Sequence, residues 1–343
     1  MAENSNKETD YLVFTFVFPE HLIAKDRKAS STIMSHLSII LPLSSTLDAF
    51  EDTLASVLRH QPMESEIFVI HDGTYDDPHD LELEGVRFVE RKSNESETDA
   101  VLRIADESGN EFVHILGSGT EVEEGWCEHA LDFFEDTSVF SVSPVMVFEN
   151  EPSRVATLGI GYSSVYRPLL VGHRQSQQSA SKNVRRVAGP SRWGGFYRAS
   201  LLTAIRESEW ELIDEIFDLQ LALCIEKLGY ENRVAADSFI HLSDTIDLSG
   251  ELKSISGASL FETLCQFSHS NRNNGFLGKL RSSVVDCVST GLSPSVILNS
   301  FSRFGVRGSK VADDFRIAWD RLCWQVRDSN EEVSGNESVR RAA

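Results

Sequence analysis

Positive charge, paired cysteines and long apolar runs are all scarce in this chain. Its 32 lysines and arginines are outnumbered by 53 aspartates and glutamates, for a formal net charge of −21. A surface so negative offers no counter-charge to nucleic acid or to an anionic membrane, so neither is expected as a partner. The five cysteines, Cys127, Cys224, Cys265, Cys287 and Cys323, lie far apart and form no CxxC pair. That excludes the usual zinc and redox spacings, and an odd count without a secretory signal reads as reduced thiols in a cytoplasmic protein. No stretch approaches the roughly 20 apolar residues of a membrane-spanning helix. The run from Tyr11 to Phe18 is shorter and follows acidic residues, unlike a signal peptide.

One further absence is local. From Ser153 to Ile205 there is no Asp or Glu, while Arg154, Arg167, Arg174, Lys182, Arg185, Arg186, Arg192 and Arg198 all fall there. Within it, Gln175 to Ser181 is rich in Gln and Ser and reads as a mobile loop. The rest is globular in composition: 41% hydrophobic and 25% charged over 343 residues suits one large domain with an appendage.

Periodicity divides the chain. Residues 1–33 form a partly disordered N-terminal extension, and Met34 stands immediately before the first convincing strand, so Met1 and Met34 are both possible starts. Leu37 to Pro42 is a short apolar run of the kind a buried parallel strand needs. Leu47, Phe50, Leu54, Val57 and Leu58 then recur at helical spacing. Ile67–Ile70, Val86–Val89, Phe112–Leu116 and Val139–Phe148 continue as strands, with helices expected over Ala100–Ala105 and Glu124–Phe134. Helix is expected again over Glu209–Leu228, capped by Gly229, then strand over Val234–Ile240. This alternation predicts an open, mostly parallel sheet flanked by helices over residues 34–248, with ligands beyond the carboxyl ends of its strands. Residues 249–327 read as a helical C-terminal region, with helices at Leu260–Phe267, Leu277–Val288, Pro294–Phe304 and Lys310–Val326, and residues 328–343 as a disordered tail. Trp210, Trp319 and Trp324 fall at helical spacing and read as core.

Four segments carry a resemblance. Ile39-Ile-Leu-Pro-Leu43 with Leu54-Ala-Ser-Val-Leu58 matches the opening strand and helix of the family 2 glycosyltransferases of the GT-A fold. Ile67-Phe-Val-Ile-His-Asp-Gly-Thr-Tyr-Asp76 is similar to that family's IIVVDDGSTD. Phe112-Val-His-Ile-Leu-Gly-Ser-Gly-Thr-Glu-Val-Glu-Glu-Gly-Trp126 follows YILFLDADTEVEPGW except that Gly117 and Gly119 replace its two aspartates. Trp193-Gly-Gly-Phe-Tyr-Arg198, with Phe217 to Tyr230, resembles the acceptor segment and the helix beginning EDVDLSLRLRKAGY. The resemblance covers about Leu37 to Leu242.

The resemblance implies a GT-A-like fold and transfer of a sugar from a UDP- or GDP-type donor, with inversion, to an unknown acceptor. It places Pro42, Asp72, Gly73 and Asp76 at the nucleotide, and Arg192, Trp193, Gly194 and Gly195 at the diphosphate or acceptor. A gapless count back from Gly229-Tyr230 puts Asp218 on the general base, with Asp214 and Glu215 as the fallback acids. Phe217 and Gln220 replace the acids that flank it, and His71 replaces another. The family's Mg2+ or Mn2+ would need oxygen ligands, which Gly117 and Gly119 lack in their side chains. His241 and Glu121 are what remains of a donor set. Arginines of the acid-free stretch, Arg185, Arg186, Arg192 and Arg198, could offset a diphosphate instead. The alternative is a catalytically silent GT-A module that binds a nucleotide, a glycan or a protein.

Overall fold

The structure is a computed structural model and describes residues 37–43, 46–75, 77, 81–182, 187–267, 276–289 and 301–342. Residues 1–33 and Met34, Asp76, Arg185, Arg186 and most of Pro294–Phe304 lie outside the described residues.

Strand β1 (Leu37–Pro42) is buried along its whole length. It pairs in parallel with β2 (Ser65–His71) on one side and β4 (Phe112–Leu116) on the other. A strand flanked this way, with helices on both faces, has no wet side, which is why its sequence is a continuous apolar run and not an alternation. Beyond β2 lies β3 (Val86–Glu90), also parallel. Past β4 come β10 (Gly194–Arg198), β6 (Val139–Phe148), β11 (Glu231–Leu242) and β5 (Thr120–Val122), giving the order β3-β2-β1-β4-β10-β6-β11-β5, with β7 (Val155–Thr157) beside β6. Strand β10 is antiparallel to both neighbours, and β11 is parallel to β6. Strands β3, β2, β1, β4, β6 and β11 therefore run in one direction, as the alternation predicts.

Two hydrophobic layers sandwich this sheet. Helix α1 (Leu47–Arg59) lays Phe50, Leu54 and Val57 on one face, joined there by Trp126 and by Ala130 of α3 (Glu128–Leu131). Helices α2 (Glu97–Ser108), α5 (Ala199–Glu207) and α6 (Phe217–Leu228) cover the other face. Helix α2 starts on a reciprocal cap, with Ser96 accepting from the Asp99 N–H and the Asp99 carboxylate accepting from the Ser96 N–H, and it ends at Gly109 with φ +68.

A hairpin, β8 (Ile160–Tyr162) with β9 (Pro168–Leu170), and α4 (Gln177–Lys182) occupy the acid-free stretch. Helix α4 therefore replaces the loop that composition suggests for Gln175–Ser181. The helix expected over Glu124–Phe134 is shorter, because Gly125 takes φ +83; α3 is one turn long and a 3-10 turn follows. Glu209, at φ +59, likewise breaks the helix expected from that residue, and α6 begins only at Phe217 after a 3-10 turn, Asp214–Ile216.

The C-terminal region is helical: α7 (Leu248–Ser254), α8 (Gly257–Phe267), α9 (Phe276–Ser289) and α10 (Gly308–Ala342). Helix α10 continues to Ala342, through the polar residues that composition leaves as a tail. Phe315, Ala318 and Leu322 of α10 pack with Trp210 and Phe267, whereas Trp324 is 66% exposed and not core. A buried ion cluster fastens this region to the sheet domain. The Asp286 carboxylate accepts from Arg167 at 2.9 Å and from Arg303 at 2.6 Å, and Arg167 also donates to the Leu252 carbonyl. Burial alone would push the Asp286 carboxyl up, but the two guanidinium groups outweigh it and hold the group below the usual range.

Candidate functional site

The chain leaves β1 for β2 and β3 on one side and returns to β4 on the other. A crevice opens beyond the carboxyl ends of strands where the order reverses in this way. The crevice here is a cavity of about 320 Å3. Pro42 and Ser118 lie at the strand ends, and the Ser118 hydroxyl donates to the Pro42 carbonyl at 2.7 Å. The first turn of α2 supplies Glu97 and Thr98; Arg192 and Trp193 enter before β10; Glu215 and Phe217 enter before and at the start of α6. Ile246, Glu251, Ser254 and Ile255 close the cavity from the segment that begins the C-terminal region.

The charge in this lining is unbalanced: Arg192 is its cation, against Glu97, Glu215 and Glu251. Burial raises the Glu97 carboxyl, with Arg192 and Arg91 opposing and Asp214 adding to the shift. Burial also raises that of Glu251, again opposed by Arg192. Arg192 lies 5.8 Å over the Phe217 ring, which serves the arginine as a platform.

Asp218 is buried at 5% exposure and does not line the main cavity. It borders a small annex beside it, with Arg192, Glu215 and Glu251. One carboxylate oxygen accepts from the Arg192 N–H at 3.1 Å and the other from the Leu219 N–H at 2.8 Å. Burial raises this carboxyl, and Arg192 and the N–H donors oppose the rise. Its two neighbours in the motif are structural. Asp214 accepts from the Thr98 N–H at 3.0 Å at the start of α2. Glu215 accepts from the Ser256 N–H and the Ser259 hydroxyl, both at 3.0 Å, at the start of α8. Each of these two acids thus engages one carboxylate oxygen, Oδ1 of Asp214 and Oε2 of Glu215. Gln220 is also engaged, accepting from the Ile213 N–H and donating to Gln266.

Asp72 and Gly73 lie at the end of β2, outside the cavity lining. Asp72 is exposed, and the Thr74 hydroxyl and N–H hold its carboxyl below the usual range. Gly194 and Gly195 are buried ladder residues of β10, opposite Leu116 and Ile115. A Cβ on Gly195 would lie 2.7 Å from Pro190, so glycine at this position is required by packing. Arg198 is directed to the Val139 and Phe134 carbonyls, away from the cavity. Of the arginines considered for a diphosphate, Arg192 alone among the described residues lines it.

Glycine leaves the turn without side-chain oxygen donors at positions 117 and 119. A Cβ built on Gly117 would sit 3.2 Å from both Cα and Cδ1 of Trp193. One built on Gly119, at φ +87, would sit 2.7 Å from Cδ1 of Ile246. A side chain at either position would thus crowd Trp193 or Ile246. Glu121 faces His241 across the β5–β11 ladder, and His241 Nε2 lies 3.5 Å from a Glu123 oxygen. Among the described residues, however, no three His, Cys, Asp or Glu side chains converge as a metal would require. The residues present do not fit Mg2+ or Mn2+.

No family model and no curated protein matches the chain. Solved structures do match its fold. GalNAc-T7, solved with UDP, GalNAc and Mn2+, superposes with a TM-score of 0.53 at 12% identity, over 74% of this chain and 52% of its own. The chain thus spans about half the length of that relative. A mannosyltransferase from Pyrobaculum calidifontis, PcManGT with GDP-Man and Mn2+, gives 0.45 at 13% identity over 84% and 74% of the two chains, and adds no weight. The fold is that of the GT-A glycosyltransferases. Among the described residues no helix is long and apolar enough to cross a membrane.

Sequence reasoning brings Pro42, Arg192 and Trp193 to the cavity but misses Glu97, Ile246 and Glu251. The first was within reach: Ser96 and Asp99 spell a helix start, and a helix that follows a parallel strand and leads into the next starts at the strands' carboxyl ends. The other two follow the last recognisable motif and carry no signal.

Proposed function

We propose that this chain is a glycosyltransferase-like protein that binds a nucleotide-diphosphate sugar without a two-carboxylate metal clamp. The observation that carries the reading is the cavity at the β1–β4 reversal, where Pro42, Arg192 and Trp193 meet on a GT-A scaffold. In this reading the nucleoside lies toward Asp72, Gly73 and Asp76, and the sugar lies in the cavity. Arg192, braced on Phe217, supplies the positive charge for the diphosphate. Calorimetry with UDP- and GDP-sugars should detect binding that EDTA leaves unchanged, and Asp72→Ala should weaken it. No binding across the panel would overturn the reading.

A second reading, a silent module, is favoured by one specific observation: both oxygens of the Asp218 carboxylate already accept backbone N–H bonds. A base needs a lone pair directed at the acceptor hydroxyl, and each of these N–H bonds already occupies one. Slow hydrolysis of the bound sugar donor would support the enzyme; tight binding with no turnover would support the module.

A further inference from the structure

The acids around the cavity differ in what they are already doing. Glu215 is taken by the start of α8, and Asp214 and Asp218, at its edge, by other backbone N–H groups. Glu97 is not so engaged. It is half-buried in the cavity wall and accepts no hydrogen bond from any described residue. It faces Arg192 electrostatically, with Arg91 and Asp214 the other charges that act on it. The lining also includes apolar and aromatic side chains, Val101, Ile115, Trp193 and Phe217. A half-buried carboxylate without donors gains most from a ligand that brings them. A diphosphate brings none and adds negative charge beside Glu97, Glu215 and Glu251. A sugar ring brings several hydroxyl donors together with an apolar face.

We propose that Glu97 is the specificity-determining carboxylate of this cavity, accepting hydroxyl hydrogens from the sugar portion of the ligand. The assignment rests on the nucleotide-sugar reading above and gives Glu97 a binding role that no sequence motif assigns to it. Its burial, which raises the carboxyl, is consistent with a group awaiting donors.

The test is the affinity added by the sugar, measured by calorimetry as the Kd of UDP or GDP divided by the Kd of the corresponding nucleotide sugar. In the unmodified chain this ratio should exceed one. Glu97→Gln keeps the shape but loses the charge, and should lower the ratio by about tenfold, the usual weight of hydrogen bonds to a charged group. The Kd of the bare nucleotide should stay within a factor of about two, since the nucleotide does not touch Glu97 in this assignment. Glu128→Gln, at an exposed position on α3 outside the cavity lining, should leave the ratio unchanged. A melting curve for each variant checks that it is folded. An unchanged ratio in Glu97→Gln, an equal loss for nucleotide and nucleotide sugar, or a starting ratio of one would each overturn the assignment while leaving nucleotide binding intact. If the unmodified chain binds no nucleotide at all, the functional reading falls and the assignment with it, and that outcome is read before any variant is made.

Discussion

Placing an aspartate at Gly119 tests how strongly packing at the strand ends opposes a side chain there. The residue sits at φ +87, where a side chain costs about 1–2 kcal/mol. Its Cβ would lie 2.7 Å from Cδ1 of Ile246. That atom is the end of a flexible side chain, and turning it off its rotamer costs about 0.5–1.5 kcal/mol. Gly119→Asp should therefore destabilise by about 1.5–3.5 kcal/mol, a fall of several degrees in Tm for a domain of this size. The part due to Ile246 is separable. Ile246→Ala removes the obstructing atom, so the double variant should be less destabilised than the sum of the two singles, by about 0.5–1.5 kcal/mol. Thermal denaturation of the four proteins, with and without Mn2+, measures all of this. If Gly119→Asp alone kept its Tm and gained stability with Mn2+, the packing argument would be refuted.

Three other consequences are open to measurement. His114 is fully buried between Trp126 and Phe196 and its ring nitrogens meet no hydrogen-bond partner among the described residues, so burial holds its pKa at about 3 against 6.5 when unfolded. Its contribution is whole above pH 6.5 and is lost as pH falls from there toward 3, at about 1.4 kcal/mol per pH unit, so His114→Phe should flatten the acid limb of a denaturant-midpoint profile. Asp286→Asn should cost about 3–5 kcal/mol by leaving Arg167 and Arg303 buried against a neutral amide, read as a lower denaturation midpoint. Asp218→Ala should cost about 1–3 kcal/mol by orphaning the Arg192 and Leu219 N–H groups, and if Asp218 is also the base it should abolish any donor hydrolysis at temperatures where the variant is folded.

What the sequence made legible follows from how locally each feature is encoded. Strand β1 could be read from six residues because burial on both faces leaves an unbroken apolar run, and α6 could be closed at Gly229 because only a left-handed residue ends it there. Those local signals, in order, point to three strand ends, at Pro42, Asp72 and Gly117, of which Pro42 and Gly117 line the cavity and Asp72 does not. The roles of the acids were not legible in the same way. Asp214, Glu215 and Asp218 lie within five residues and look equivalent as letters, yet the first two cap distant helices and the third binds a backbone 26 residues away. Each role depends on a partner remote in the chain, and spacing within the motif carries no trace of it. Trp324 illustrates the same limit: the spacing that puts Trp319 against Lys227 leaves its neighbour five residues on in solvent.

The Gly117-Ser118-Gly119 turn is tied to three parts of the fold at once. The Gly117 N–H donates to the Trp193 carbonyl, Ser118 donates to Pro42, and Gly119 donates to Thr53 while accepting from the Ser243 N–H. The turn is thereby held against α1, the approach to β10 and the exit from β11. Ile246 follows three residues after Ser243 and fills the space beside Gly119. The same residue lines the cavity, next to Glu251 and Ile255. A side chain at position 119 would meet the end of the Ile246 side chain, so Ile246 would have to turn aside to admit it. The turn at the strand ends and the segment that begins the C-terminal region therefore meet at Ile246. The crevice they border presents Glu97, Glu215 and Glu251 together with Arg192, which is braced on Phe217.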